Sequence, residues 1–478
     1  MDVDGLDVHV AATQGTAVAD ATAFDGVLPD TLVLPGEAEA HGAAPHPPAS
    51  GQLRGRRVAL TSAPAASRVA RVPEPASPPS AGQGAVPARE RARRRALLED
   101  LLATVGADHG LLVATSRSPG VVTWLTGWPV TRLAAVLVTP GERDVLWVGY
   151  PNHVPNAARL CPQADVRPAG EDLATLVAAE LASRGATRVG LAGPCPPDVA
   201  AAVGRAGPAV RLDGELARAR ARKSADEVAV LAASAALTDE AARALFATAQ
   251  PGASEHDMVA AFHHAVLAAG GGVHIAYLSS TDPSAPDRCA PSQFPTGRRL
   301  RDGDVVVVEL SAAVEPDYPG QLLRTAVLGP DVPAVVAELH AVAEAVRDAV
   351  LAALAPGVAP ADLAAVAADL LAQAGLGTLD DLVHGFGGGY LPPVISLAHP
   401  SAAPSPDEPV AEGMTLVVQP NVTTPDQQFG VQTGELVWVG PDGAVQLHGY
   451  PAGLVRLPGG SPAGTTPAIG GHGDAPAG

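Results

Sequence analysis

A few side chains in this sequence have the types and setting that proton transfer requires. Glu309 closes a run of four valines, Val305-Val306-Val307-Val308, behind the turn signal Gly303-Asp304. Four β-branched residues after a Gly-Asp pair predict a strand buried on both faces. A carboxylate at the end of such a strand needs a partner or a job, because an unpaired buried charge is costly. Gln321 and then Arg324-Thr325 follow; further on stand His384, in His384-Gly385-Phe386-Gly387, and Gln419. Carboxylates and imidazoles are the usual general acids and bases, and the glutamine amides add donors and acceptors.

The elements that must position these groups are repeated. Pro251-Gly252 opens one helical pattern and Pro356-Gly357 opens another, with matching Asp257/Asp362, Ala260/Ala365, Ala269/Ala374 and Gly270/Gly375. Each is followed later by a similar strand, Gly303 to Glu309 and Gly413 to Gln419, ending in a carboxylate or its amide. Two copies of helix-then-strand predict a pseudo-two-fold domain with Glu309 and Gln419 facing a shared centre.

Composition bounds the class. At 478 residues the chain is long enough for two or three domains. A formal charge of −19 argues against nucleic acid or an anionic membrane as partner. No apolar run approaches the roughly 20 residues of a bilayer span, and MDVDGLDVHV lacks the features of a signal peptide. Cys161, Cys195 and Cys289 are scattered and odd in number, which fits neither a disulfide framework nor a zinc cluster. A cytoplasmic protein is expected.

Along the chain, residues 1–90 read as a disordered or low-complexity extension rich in Ala, Pro, Gly and Ser. The basic run Arg91 to Arg95 reads as a solvated helix face. Residues 91–216 alternate strands and helices as a small α/β domain. Ser224-Ala225-Asp226-Glu227 is a capping box that opens a second domain, 217–450. Residues 451–478 read as a disordered tail. The glycines after His384 are followed by Pro392-Pro393 instead of a helix, which argues against a phosphate-binding loop.

Taken together these residues resemble the creatinase, Xaa-Pro aminopeptidase and methionine aminopeptidase family. The carriers are Arg222-Lys223-Ser224 with Glu227, Pro251-Gly252, Gly303-Asp304, Arg324-Thr325, His384-Gly385-Phe386-Gly387, Glu412-Gly413-Met414 and Val437-Trp438-Val439. Trp124-Leu125-Thr126-Gly127 resembles the amino-terminal domain of creatinase and prolidase. The resemblance spans about residues 94–450. It implies an α+β protein with a pita-bread domain of pseudo-two-fold duplication, preceded by a smaller α/β domain of creatinase/prolidase type, and it implies a homodimer.

Most members of that family hold two metals through two Asp, one His and two Glu. Carried over position by position, the first Asp falls on Glu309, the second on Gln321, the first Glu on Gln419 and the second Glu on Gly434, with Glu435 next to it. The His falls on His384 in one register and on Gly388 in another; the substrate-side His falls near Ser292. Hard divalent cations want anionic oxygen, so neither metal nor other cofactor is expected.

By the same resemblance, Glu309 or His384 acts as base on water in a creatinase-like hydrolysis of C–N bonds in a small molecule or dipeptide. Gln321, Gln419 and Glu435 complete the catalytic set; Arg324, Tyr318, Tyr390 and Ser292 are the substrate contacts. Two other readings stay open: a non-catalytic peptide- or protein-binding module, and a metal-dependent Xaa-Pro peptidase with one metal at Glu309, His384 and Glu435.

Overall fold

Two capping boxes start the helices that frame the second half of the molecule. Ser224 accepts from Glu227 N while Glu227 reaches back to Ser224 N, opening helix Ala225–Ala247; Ser254 and Asp257 do the same for helix Glu255–Ala268. The computed structural model describes residues 70–71, 86–288, 294–398 and 408–459.

The first layer is a six-stranded mixed sheet. Its strand order is Ala164–Pro168, Asp144–Val148, Leu133–Val138, His109–Thr115, Val189–Ala192 and Ala209–Arg211. Alternation assigns its two faces. Leu111, Val113, Leu137 and Trp147 pack on helices Leu173–Ser183 and Pro197–Ala206. Leu112, Ala114, Val136 and Leu146 pack on Leu98 and Leu102 of helix Ala88–Val105.

The second layer is a larger sheet whose main path is antiparallel throughout. Its order is Tyr390–Ser396, Asp381–Phe386, Thr415–Val418, Gly434–Gly440, Pro319–Leu328, Val305–Ala313 and Gly272–Thr281. The expected duplication is visible in this order. Three strands of the first half end at Pro319–Leu328, four of the second half end at Gly434–Gly440, and these two strands pair at the centre. Each half has its own helices on the sheet. Val306, Val308, Leu310 and Leu322 meet the helices of 225–268. Leu416, Val418 and Val437 meet helices Ala334–Ala353 and Pro360–Ala374.

Two expectations are corrected. The basic run is not a solvated face: Arg94 is buried, donating to Glu90, to Glu227 and to the carbonyl of Trp124 at 2.9, 3.1 and 2.7 Å, while Arg93 pairs with Glu90 and Glu227 and Arg95 with Asp144. Arg94 can be buried because its charge is matched by Glu90 one turn away and by Glu227 far along the chain. The ordered fold also runs past residue 450, since Val455–Leu457 adds a parallel strand to Pro319–Leu328 and buries Leu457. Ala70–Arg71 likewise pair with Val445 and Gln446 inside the expected extension. The rest of that extension up to residue 85, and 460–478 of the tail, lie outside the described residues, as do Cys289 and Ser292. Among the described residues no helix is long and apolar enough to cross a membrane.

Candidate functional site

Where the halves of the larger sheet meet, side chains from four places on it form one hydrogen-bonded chain. Strand pairing sets Leu323 opposite Glu309 and opposite Gly434, and Val417 opposite His384, so Glu309, Gln321, Gln419 and His384 share one face. Gln321 Nε2 donates to Glu309 Oε1 at 2.8 Å and to Gln419 Oε1 at 3.1 Å. His384 Nε2 lies 3.2 Å from the same Gln419 oxygen. His384 Nδ1 faces another carbonyl, that of Gly385 at 3.4 Å, and a neutral imidazole can donate to only one of the two. Gly388, by contrast, lies under Tyr318 and Trp124. The structure therefore brings His384 to the centre, and Gly388 does not reach it.

The electrostatics of the chain are set by burial. Glu309 is pushed up to about 8, by loss of water and then by the nearby negative charge of Asp380. Burial drives His384 down to about 4, which keeps the imidazole neutral near pH 7. Tyr390 stacks on His384 with centroids 4.3 Å apart and donates to Asp381 at 2.5 Å, while remaining largely exposed. It stands at the mouth of the site.

Three expected members stand elsewhere. Glu435 pairs across the sheet with Leu322, one residue out of step with Gly434, so its side chain leaves by the opposite face. There it takes a 2.9 Å hydrogen bond from Arg324 and another at 2.8 Å from Gln446. Arg324 is fully buried, and its other donors are taken by the carbonyls of Leu323, Gly434, Tyr450 and Pro451, so it has no fork left for a substrate. Tyr318 donates to Glu227 at 2.5 Å and packs under Arg94, between the two layers.

Sequence reasoning missed two neighbours of Glu309, Tyr277 and Asp380, and one of His384, Asp381. Tyr277 sits directly across the ladder from Glu309, and Asp380 and Asp381 lead into the His384 strand. An Asp-Asp pair three and four residues before that histidine was the legible signal.

The donor set does not fit the family's pair of metals. One carboxylate and one imidazole face the centre, neutral amides stand at Gln321 and Gln419, the Gln321 oxygen is buried without a partner, and the fifth position is Gly434. No side chain fits there: a Cβ on Gly434 would lie 2.7 Å from Gln419 Cα, with Val418 O closer still. Among the described residues no group of three His, Cys, Asp or Glu is arranged to hold a metal ion.

The second layer defines a pita-bread fold, and comparison with known proteins says whose. Residues 229–441 match the model of metallopeptidase family M24. It is 30% identical over 212 residues to proteins named probable dipeptidase PepE from Mycobacterium tuberculosis (strain ATCC 25618 / H37Rv) and Mycobacterium bovis. That match takes in 44% of this chain and 53% of each relative, so the chain spans about half the length of the curated relatives it matches. Among solved structures it is similar to dipeptidase PepE from Mycobacterium ulcerans (TM-score 0.64, 24% identity, 77% of this chain and 98% of that one). It is also similar to an X-Pro aminopeptidase from Thermotoga maritima (0.66, 19%, 76% and 99%) and an Xaa-Pro dipeptidase from Bacillus anthracis (0.65, 18%, 77% and 100%). At these identities the structural likeness concerns the fold.

Proposed function

We propose that this protein hydrolyses a C–N bond (amide, urea or amidino) in a small molecule or dipeptide, with a carboxylate and no metal activating the water. The observation that carries this is Glu309, held by Gln321 through one oxygen only. Among the described residues its other oxygen takes no hydrogen bond, and the residue is not fully buried. A general base works best with a pKa near the working pH, and the rise of Glu309 to about 8 supplies that.

In this reading Glu309 takes a proton from water as the water oxygen attacks the carbon of the C–N bond. The same carboxyl then returns the proton to the departing nitrogen, which leaves as neutral amine, and the carboxylate is regenerated. His384, kept neutral by burial, sits against Gln419; Gln419 holds the Gln321 amide; that amide aims the Glu309 carboxylate. The peptidase name of the family and the dipeptidase name of the relatives support amide bonds as the first to try.

The test is turnover of a panel of dipeptides, small amides, ureas and guanidino acids. The expected result is hydrolysis that survives chelator, gains nothing from Mn²⁺, Co²⁺ or Zn²⁺, and is lost in Glu309→Gln. Stoichiometric metal in the purified protein, with activity that follows it, would return the site to metal-dependent peptidase chemistry.

A further inference from the structure

Gln419 holds Gln321 through its oxygen, and that leaves the nitrogen of the same amide. Where this nitrogen points follows from Glu309. An ionised carboxylate only accepts, so Gln321 turns its Nε2 towards Glu309, and the second hydrogen of that nitrogen goes to Gln419. A donor on that side obliges Gln419 to present its oxygen there, and its own amide hydrogens face away.

Burial separates the two amides. The Gln321 oxygen is fully covered and has no partner, so no ligand reaches it. Gln419 Nε2 also lacks a partner among the described residues, but it is not closed off from solvent, and neither is Oε2 of Glu309. The chain from Glu309 through Gln321 to Gln419 therefore keeps one open acceptor, Glu309 Oε2, and one open donor, Gln419 Nε2. They stand two hydrogen bonds apart on one face of the sheet, with exposed Tyr390 at the mouth.

A base and a fixed N–H donor on one rigid chain suit the hydrolysis of a carbonyl. Attack of water on a carbonyl carbon moves the C=O electron pair onto oxygen, and a preorganised amide N–H stabilises that charge. An amidinium or guanidinium offers nothing comparable. Every nitrogen on its central carbon is already a donor, so the Gln419 N–H finds no acceptor there.

We propose that Gln419 Nε2 is the oxyanion donor of this site, and that it narrows the substrate to neutral carbonyl compounds, amides and ureas, against amidines and guanidines. This rests on the hydrolase reading above. The water oxygen bonds to the carbonyl carbon while Glu309 takes its proton, and the displaced pair rests on the oxygen held by Gln419. That pair then re-forms C=O, the C–N bond breaks, and the Glu309 carboxyl hands its proton to the departing nitrogen.

The experiment pairs turnover with binding, on the full chain and with chelator present. Ala-Pro, N-acetylglycinamide and N-carbamoylglycine offer a scissile carbonyl; guanidinoacetate and acetamidine do not. Hydrolysis is expected among the first three and in neither of the others. Gln419→Glu keeps the oxygen that Gln321 needs and removes the N–H; kcat should fall by about 10²–10³ while KM moves a few-fold at most. Sulfur in place of the carbonyl oxygen weakens the same contact, so its cost and that of the variant should not add, whereas a merely structural role makes them additive. For binding, the probe is the phosphinic analogue of Ala-Pro, whose anionic oxygen stands where the oxyanion would. Gln419→Glu and the uncharged Gln419→Met should each bind it about ten-fold more weakly than the parent does, and Glu309→Gln at least as well as the parent. No turnover of any substrate, with that weakening in both Gln419 variants, removes the hydrolase reading and keeps the donor. Turnover of guanidinoacetate or acetamidine by a Gln419→Glu chain as active as the parent keeps the hydrolase reading and overturns the proposal. Gln419 variants that bind the phosphinate as the parent does overturn it too, as does a parent that fails to bind at up to about 10 mM.

Discussion

The two faces of the larger sheet are built from the same strands and hold opposite electrostatics. On one face Glu309 has an amide as its hydrogen-bond donor, and its carboxyl rises to about 8. On the other, burial also pushes the Glu435 carboxyl up, but Arg324 against it prevails and holds it below the usual range. The two glutamates belong to strands on either side of Pro319–Leu328, and a one-residue step in register separates their fates. Burial alone does not fix what a carboxylate does. The partner decides whether it is a strut or a base.

The first way to break this comparison is Glu309→Gln, which keeps shape and removes the base; turnover should fall by about 10²–10⁴ while the fold persists. The mirror experiment is Arg324→Met. It strands a buried Glu435 charge and should cost about 3–5 kcal/mol in denaturant unfolding, whereas the doubly neutral Arg324→Met/Glu435→Gln should recover much of that. Third, Gly434→Ala should destabilise by about 2–4 kcal/mol, because Val418 and Gln419 must move to admit a methyl group.

The pH dependence sharpens the contrast. Glu309 is raised in the fold above its ordinary value of 4.5, so the folded chain holds this proton more tightly than the unfolded chain does. Its contribution to stability is therefore full below pH 4.5 and is lost as pH climbs through about 8. Glu309→Gln should be the more stable protein at pH 9, by up to about 5 kcal/mol, and indistinguishable at pH 4. Activity should run the other way and rise through about pH 8 as the base ionises. Smallest of all is Tyr390→Phe: the hydroxyl it loses is at the exposed mouth, and thermal stability should change by about 0.5 kcal/mol or less.

The sequence carried the strand of Glu309 openly, since four β-branched residues leave little choice, and the capping boxes at Ser224 and Ser254 were equally plain. The duplication, and through it the shared centre of Glu309 and Gln419, could be read from the Pro-Gly starts and the strand ends. What could not be read was which side of a strand a residue leaves by. Glu435 was placed in the site because it neighbours Gly434, and a single register step sends it to the other face. Arg94 looked solvated because its partner Glu227 lies 133 residues away. That Arg324 has no donor left for a substrate could be told only by counting which donors were already taken, and that count exists only in three dimensions.

Glu227 carries a consequence for how the molecule comes apart. Its two oxygens take hydrogen bonds from Arg93 and Arg94 of the first layer, from Tyr318 at the tip of the second, and from the backbone that caps its own helix. Layers joined only by a polar, hydrated seam melt as separate bodies. Layers that share one desolvated carboxylate cannot part without exposing it, so heating should give a single calorimetric transition whose van't Hoff and calorimetric enthalpies agree. Glu227→Gln should split that transition in two, leaving the six-stranded layer to melt on its own.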